Sequence, residues 1–326
     1  MKKAKYQILA ILFLLLMIGC ATTEEKNYST KTSSIVSNNN RNHLTSEDEE
    51  YIYFGGPFAV KKVLKKDNTV EDVFEIKDFS DEIVDVESFL DRLYLLTFSN
   101  KLISISKDGN DLEKIELTDI DSPSFYTYDD GLYIVANSTG DVYKLNPEDL
   151  GLEEADSAII NQYVAADGTL FIKKNENNLG RVYVVVDGEE KLFSAEEESV
   201  VLNRMNFTDS YVFYYSFNMD NIEDFSELDS FSLYRVDLDG KNKKMIKEVE
   251  LSDYSGNIKY DNEYIYVSIS ADEYIKIHKE TLKETNIIEQ IDSFVPISFF
   301  EVSNGRFFAY TETNFLDSAS GELIEL

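Results

Sequence analysis

Among the side chains that could do chemistry, this chain has many carboxylates and very few cysteines and histidines. Its 326 residues include one cysteine, two histidines and 62 carboxylates, and they include no tryptophan. A single cysteine excludes an intramolecular disulfide and a cysteine-based metal cluster. The histidines, His43 and His278, are too few for most metallohydrolase and histidine-dependent triad chemistry. We expect His278 to be a turn residue, assign His43 no function, and predict no catalytic residue, no metal and no cofactor.

One group of carboxylates stands out because no basic residue accompanies it. The stretch 218–230 contains no lysine or arginine, and its five acids are Asp220, Glu223, Asp224, Glu227 and Asp229. Their spacing lacks the Asp-x-Asp-x-Asp-Gly order that defines a specific Ca²⁺ loop. The stretch is therefore interpreted as a loop that contacts a partner or binds Ca²⁺ weakly. The alternative is a solvated insertion with no function.

The single cysteine follows an apolar segment near the N-terminus. Lys2, Lys3 and Lys5 precede an uninterrupted apolar run over 8–18, and Cys20 comes two residues after that run. This run is too short to span a bilayer as a helix, which needs about 20 residues, but it suits the core of a signal peptide. The segment Leu16-Met-Ile-Gly-Cys20 resembles the lipobox of bacterial lipoproteins. That resemblance implies cleavage before Cys20, lipid (palmitate) attachment to its side chain and an extracytoplasmic protein anchored to the cell membrane.

The residues after Cys20 predict a tether and then a folded domain. Residues 21–48 are rich in Ser, Thr and Asn, which is typical of a flexible linker. We therefore predict a signal peptide at 1–19, a lipidated cysteine and tether at 20–48, and a domain at 49–326. The net charge of −31 repels nucleic acid and anionic lipid headgroups. The lipid on Cys20 is thus the expected membrane contact, and nucleic acid is not an expected partner.

From residue 51 onward the sequence repeats with a period near 40 residues. Each repeat has an aromatic residue on an apolar strand, usually after a turn, and a second strand with period-2 alternation follows. The seven aromatic anchors are Tyr53, Tyr94, Tyr133, Phe171, Phe213, Tyr266 and Phe308. Short strands, hairpin turns and this period predict an all-β fold, a β-propeller of seven four-stranded blades. The period also allows six or eight blades, and a β-sandwich is the alternative fold.

The repeat spacing places the acidic stretch within the predicted fold. The anchors Phe171 and Phe213 are normally spaced, but the second-strand markers Tyr183 and Tyr234 are further apart than their neighbours. The extra residues of 218–230 must therefore lie in the fifth repeat between the anchor strand and the strand that follows it, which are the second and third strands of a four-stranded blade. A shorter loop over 173–181, rich in Asn and Gly, is expected at the same place in the fourth repeat and is interpreted as ordinary turn sequence.

Two short motifs resemble known propeller families. Leu233-Tyr-Arg-Val-Asp-Leu-Asp-Gly240 resembles the blade pattern of TolB-like propellers and of a bacterial group related to the low-density-lipoprotein-receptor propeller. Leu316-Asp-Ser-Ala-Ser-Gly-Glu322 is similar to the turn of quinoprotein-like blades. The chain lacks the tryptophans that dock blades in the quinoprotein and receptor families, which argues against a quinone cofactor. The resemblance implies a fold rather than a function.

The sequence therefore predicts a lipid-anchored scaffold at the cell surface that binds a protein or a polymer. Binding is expected rather than catalysis. An enzyme acting on extracellular glycans or peptides remains an alternative, and it requires channel carboxylates with raised pKa values. An assembly factor for other exported proteins is the third alternative, and it requires an exposed apolar patch or a free strand edge.

Overall fold

The described part of the chain is all-β, as predicted. The computed structural model describes residues 44–77, 81–128, 131–165, 167–177, 179–202, 205–218, 229–250, 258–269, 273–287, 297–303, 306–311 and 322–325, all within one compact unit. These residues form 28 strands and a four-residue α-helix, α1 (Ala158–Asn161). No helix in these ranges is both long and apolar enough to cross a membrane.

The strands form seven antiparallel sheets that follow one another along the chain. The first three sheets contain β1 (Thr45–Glu47), β2 (Tyr51–Gly55), β3 (Ala59–Leu64) and β4 (Val70–Glu75); β5 (Ile83–Phe89), β6 (Arg92–Thr97), β7 (Lys101–Ser106) and β8 (Glu113–Glu116); and β9 (Pro123–Tyr128), β10 (Gly131–Ala136), β11 (Val142–Leu145) and β12 (Leu152–Ala155). The fourth and fifth contain β13 (Gln162–Val164), β14 (Leu170–Glu176), β15 (Leu179–Val186) and β16 (Glu189–Leu192); and β17 (Glu198–Val200), β18 (Asn206–Phe207), β19 (Tyr211–Asn218), β20 (Ser230–Asp237) and β21 (Lys244–Glu250). The sixth and seventh contain β22 (Ile258–Tyr260), β23 (Tyr264–Ser268), β24 (Tyr274–His278) and β25 (Glu284–Asn286); and β26 (Ile297–Ser303), β27 (Arg306–Thr311) and β28 (Glu322–Glu325).

Each sheet is a meander whose strands we label A to D in chain order. In the fifth sheet, β17 and β18 both pair with β19 and together occupy the A position. In the first six sheets the D strand is the least buried: β8 is almost wholly exposed, whereas the A strand β9 is buried over most of its length. The D strands therefore form the outer rim and the A strands the inner part of the fold. This is the architecture of a β-propeller.

The aromatic anchors were assigned correctly. All seven lie on the B strands of their sheets and all are buried, with exposed fractions from 0 to 7%. A B strand has a neighbouring strand on each edge and a neighbouring sheet on each face. Both sets of alternating side chains are therefore buried, as in β10, where every residue is buried. This explains why the B strands are almost continuously apolar.

Apolar clusters join each sheet to the next and close a ring. For example, Tyr94 of the second sheet packs with Leu132 of the third, and Phe171 of the fourth packs with Tyr214 of the fifth. The third and fourth sheets meet through α1, where the Tyr126 hydroxyl donates to the Ile159 carbonyl at 3.3 Å. The remaining clusters join the first and second, fifth and sixth, and sixth and seventh sheets. The ring closes where Phe308 of β27 packs against the first sheet.

The predicted number of four-stranded blades was wrong. Six sheets reach four strand positions, and the seventh sheet has three strands among the described residues. The sequence supplies an anchor for the seventh repeat, Phe308, but an anchor identifies only a B strand. The number of strands around it depends on pairing that the anchor does not specify. The described structure thus has six four-stranded blades, not seven.

Two local predictions also differ from the structure. Strand β1 pairs with β2 and lies before residue 49, so the first sheet begins inside the segment predicted to be tether. The predicted loop over 173–181 is mostly strand: β14 and β15 continue until Glu176 pairs with Leu179. The two strands stay hydrogen-bonded through polar residues, and a prediction from composition alone assigns such residues to a loop.

The short turns follow the predicted chemistry. In a meander, the A–B and C–D turns lie at one face of the ring, and the B–C turns and D–A crossings lie at the other. Gly109, Gly188 and Gly240 occupy C–D turns with φ of 84°, 79° and 81°. Only glycine adopts this conformation without strain from a side chain. The Asp-Gly and Lys-Asp-Gly motifs therefore mark one face of the ring.

Candidate functional site

A cleft opens between the second and third sheets on the B–C face. Its volume is about 330 Å³. One wall is the β6–β7 turn, and the other is the crossing from β8 to β9 together with the start of the β10–β11 turn. The residues that line it include Val84, Phe98, Asn100, Asp121, Pro123 and Asn137. We call it the Phe98 cleft.

Phe98 is the unusual residue of the cleft because a large apolar side chain is presented to solvent. It is 75% exposed, more than any other large hydrophobic residue that the structure describes. It lies in the three-residue turn 98–100, where small polar residues are usual. A single exposed apolar side chain is ordinary, but one at the mouth of a cleft offers a partner apolar surface to bury.

The backbone of this turn is fixed on both sides. The Phe98 amide donates to the Glu82 carbonyl at 2.7 Å, and the Leu117 amide donates to the Asn100 carbonyl at 2.8 Å. Asn100 has a φ of 57°, a left-handed conformation that asparagine tolerates better than most residues. The turn is thus bonded to the residue before the A strand β5 and to the residue after the D strand β8 of its own sheet. Phe98 is exposed and yet its backbone is held in place.

A buried carboxylate beneath the turn adds a second constraint. Asp81 is 6% exposed. It accepts hydrogen bonds from the Ser99 amide at 3.1 Å, the Ser99 hydroxyl at 2.7 Å and the Lys101 ammonium at 2.7 Å. Burial acts to raise the pKa of the Asp81 carboxyl, but the hydrogen bonds from Lys101 and Ser99 outweigh burial and hold that pKa at about 2. Asp81 is therefore ionised at neutral pH.

The opposite wall is held by amide and hydroxyl groups. The Asn137 side chain donates to the Ser122 carbonyl at 2.7 Å and accepts from the Ser124 hydroxyl at 3.3 Å. Next to it, the Phe125 amide donates to the buried Asp85 carboxylate at 2.8 Å, which ties the third sheet to the second. Both walls are therefore built before any ligand arrives, which lowers the entropy cost of binding.

The chemistry available in the cleft is that of recognition. It offers an exposed aromatic ring, an aliphatic floor, amide groups and the exposed carboxylate of Asp121. Throughout the ranges that the structure describes, no three His, Cys, Asp or Glu side chains are arranged to hold a metal ion. The pKa shifts resolved for described carboxyl groups, those of Asp48, Asp67, Asp81, Asp108 and Asp239, are all downward.

On the other face of the ring, aspartates with the same kind of contacts hold turns in place. Asp48, in the β1–β2 turn, accepts from the Tyr51 amide at 2.8 Å, the Tyr53 hydroxyl at 2.9 Å and the Lys107 ammonium at 2.7 Å. Burial opposes ionisation, but these bonds hold the pKa of Asp48 at about 2. Asp261 accepts from the Tyr266 hydroxyl at 2.7 Å in the corresponding turn of the sixth sheet. These aspartates fix turns to anchor tyrosines.

Most of the residues selected from the sequence lie outside the described part of the chain. These are Cys20 and His43 together with Asp220, Glu223, Asp224 and Glu227 of the acidic stretch. Asp229 is described and exposed, one residue before β20. The flanking strands β19 and β20 pair with each other as the B and C strands of the fifth sheet. The stretch thus joins the predicted strands, and its role as a partner-binding loop stays a prediction.

His278 has the turn role that the sequence predicted. It is the last residue of β24, and its Nδ1 accepts hydrogen bonds from the Glu280 amide at 3.1 Å and the Thr281 amide at 3.3 Å. Asn146 accepts from the Glu148 amide at 3.0 Å at the same position in the third sheet. The histidine ring nitrogen therefore replaces an asparagine oxygen in a C–D turn.

Comparison with known proteins shows the fold class. No family model and no curated protein sequence matches the chain. Among solved structures, YCF48 bound to D1 peptide is similar, with 10% identity and a TM-score of 0.53 over 87% of this chain and 94% of that one. A chain of the mitotic checkpoint complex has 10% identity and a TM-score of 0.51 over 92% of each chain. BamB from Moraxella catarrhalis has 10% identity and a TM-score of 0.48 over 91% and 97%.

The ring of meander sheets, with the likenesses to YCF48 and to the mitotic checkpoint chain, defines the chain as a β-propeller protein. At 10% identity the likeness shows the fold alone. The propeller predicted from the blade motifs is confirmed. The narrower resemblance to receptor-type propellers stays a prediction.

Proposed function

We propose that this chain is a lipid-anchored, extracytoplasmic binding scaffold that holds a protein partner through the Phe98 cleft. The anchor rests on the sequence around Cys20, and the binding role rests on the propeller and its cleft. The propeller YCF48 is bound to a peptide in its solved structure, which supports a peptide-binding use of this fold. Binding surfaces on propellers are formed by turns on a rigid scaffold, and the cleft is such a surface.

The observation that carries the proposal is that the Phe98 ring is exposed while the backbone of its turn is held by hydrogen bonds. Its ring is 75% exposed on a turn bonded to Glu82, Leu117 and Asp81. Covering an aromatic side chain contributes about 1.5–3 kcal/mol, and a fixed turn spends little of that gain on ordering. Phe98 is therefore suited to be the anchor of an interface.

The structure bears differently on the two alternatives that the sequence left open, an enzyme and an assembly factor. An enzyme was expected to have a carboxyl group with a raised pKa in the channel, whereas the shifted carboxyl pKa values in the described residues are lowered. An assembly factor was expected to expose an apolar patch or a free strand edge, and Phe98, with Val84 and Pro123 in the same cleft, supplies a small apolar surface. The binding proposal therefore includes a role in assembling other exported proteins, and the acidic stretch 218–230 is proposed as a second contact on the same face.

The test places a photo-crosslinking amino acid, p-benzoylphenylalanine, at Phe98 in the full chain in intact cells. The matched control places it at Met245, which is 58% exposed on the outer strand β21. We expect a discrete protein adduct from position 98 and none from position 245. A second arm uses Phe98→Ser and Met245→Ser. Since both side chains are exposed, both variants should keep the parent's melting temperature, and only Phe98→Ser should lose the partner.

Positions 98 and 245 must differ in both arms of the test. Equal adducts from both positions, or equal capture by both serine variants, would show that the cleft has no special role. A serine variant that unfolds would show instead that the exposed ring is part of the fold.

A further inference from the structure

The walls of the Phe98 cleft carry unbalanced negative charge. Asp121 lines the cleft and is exposed. Three more exposed acids lie on or next to the segments that form its walls. Asp119 is in the crossing to β9, the Glu82 carbonyl accepts from the Phe98 amide at 2.7 Å, and Asp141 ends the β10–β11 turn. No ion pair is formed by these four carboxylates within the described ranges.

The cations nearby do not neutralise this charge. Lys101 is already committed, since its ammonium lies 2.7 Å from the buried Asp81 carboxylate. Lys77 is exposed at the start of the crossing from β4 to β5, and it is one charge against four. The whole chain adds to this field with a net charge of −31. A ligand that enters the cleft therefore meets a negative potential.

The uncharged surface of the cleft matches a peptide in extended form. The Phe98 ring and the Val84 and Pro123 side chains provide an apolar place for one side chain. Among the described residues, the Asn100 side-chain amide has no hydrogen-bond partner, and it lines the cleft. An amide offers one donor pair and one acceptor, which are the groups that a peptide backbone requires. The cleft volume of about 330 Å³ fits a few residues and not a folded domain.

These features together define the ligand more narrowly than the proposed function does. We infer that the Phe98 cleft binds an extended peptide segment of its partner in which an aromatic or aliphatic side chain lies beside a lysine or arginine. The apolar side chain covers Phe98, the cation faces Asp121 and its neighbours, and the backbone pairs with Asn100. A neutral glycan gains no charge attraction from these carboxylates, and an acidic peptide is repelled by them. This inference rests on the proposed function and specifies its ligand.

The experiment uses a random heptapeptide phage library and the full chain purified in mild detergent. We expect the parent to enrich sequences that combine an apolar residue with an adjacent lysine or arginine. Phe98→Ser should lose this enrichment and Met245→Ser should keep it. The strongest peptide is then titrated against Asp121→Asn and against Asp91→Asn, an equal charge change in the β5–β6 turn on the other face.

The expected numbers follow from the kinds of contact. Phe98→Ser should weaken the selected peptide about tenfold or more, because an aromatic anchor is removed. Asp121→Asn should weaken it about threefold at 50 mM salt, since an exposed ion pair is modest in strength, and should have almost no effect at 500 mM salt. Asp91→Asn should leave the affinity unchanged at both salt concentrations.

Each other outcome overturns the inference. Enrichment of acidic or uncharged sequences, or binding that does not depend on salt, shows that charge does not select the ligand. No enriched peptide, with a Phe98-dependent adduct still present in cells, shows that the cleft binds something other than a short basic peptide, such as a glycan-bearing surface. The absence of both the peptide and the adduct removes the proposed function as well.

Discussion

Replacing the buried Asp81 with asparagine should destabilise the fold by an amount that depends on pH. Asparagine keeps the shape and an acceptor for Ser99 but removes the charge that faces Lys101. The pKa of Asp81 is lowered from 3.8 to about 2, and each pKa unit corresponds to about 1.36 kcal/mol. The Asp81 side chain is 8% exposed and that of Lys101 is 27% exposed, so solvent screens the pair only in part. We therefore expect Asp81→Asn to lower the free energy of unfolding by about 2 kcal/mol at pH 7.

The sign of the pH dependence follows from the lowered pKa. The folded chain binds this proton more weakly than the unfolded chain, so ionised Asp81 stabilises the fold fully above the unfolded pKa of 3.8. The contribution falls to about half near pH 3 and is almost lost near pH 2. Asp81→Asn has no such group, and the gap between parent and variant should close over the same range.

Urea denaturation followed by circular dichroism at pH 7, 5 and 3 measures this gap. The matched control is Asp121→Asn, which removes an exposed carboxylate from the same cleft and should change stability by less than about 0.5 kcal/mol. Changes in overall charge repulsion affect both variants equally and cancel between them. If the gap between parent and Asp81→Asn is the same at pH 3 as at pH 7, ion pairing with Lys101 is not what holds the turn beneath Phe98.

Two further predictions concern parts of the chain outside the described residues. Cys20→Ser should block lipid attachment and processing, which gel mobility and membrane fractionation check; a processed, membrane-bound variant would contradict the lipoprotein proposal. Replacing 219–229 with an Asn-Gly turn between β19 and β20 should leave the melting temperature almost unchanged, because Asp229 is exposed and both strands stay paired. If the acidic stretch contacts the partner, the same replacement should remove capture, and a trimmed chain that unfolds would contradict the prediction.

The sequence predicted the B strands well because their signal is local and strong. An anchor such as Tyr94 lies within a nearly continuous apolar run whose two faces are both buried, and that pattern recurs at each repeat. The inner strands give a weaker signal. In β1, for example, Thr45 and Ser46 are buried and yet polar, so nothing in their composition distinguishes them from the tether. The number of strands in the last sheet could not be predicted either, because an aromatic anchor identifies only the B strand of its sheet.

The Phe98 cleft was missed because its walls are separated along the chain. Phe98 and Asn137 come from turns of different sheets, and they meet only when the sheets pack. One signal was present in the sequence: a phenylalanine inside a turn whose neighbours are Ser99 and Asn100. A turn has no interior in which to bury an aromatic ring, so an aromatic residue at such a position is worth testing as an exposed contact.

The contact of Phe308 with the first sheet has a consequence for the order of folding. The other contacts between sheets join neighbours in the chain, whereas Phe308 meets Ile52 and Phe54 across almost the whole length of the domain. Closing so long a loop costs the most chain entropy, and contacts of this kind form slowly. The closure contact should therefore form last, after the sheets have stacked in an open arc. Until then the arc has two apolar ends, and premature pairing of these ends between two chains is its natural route to aggregation.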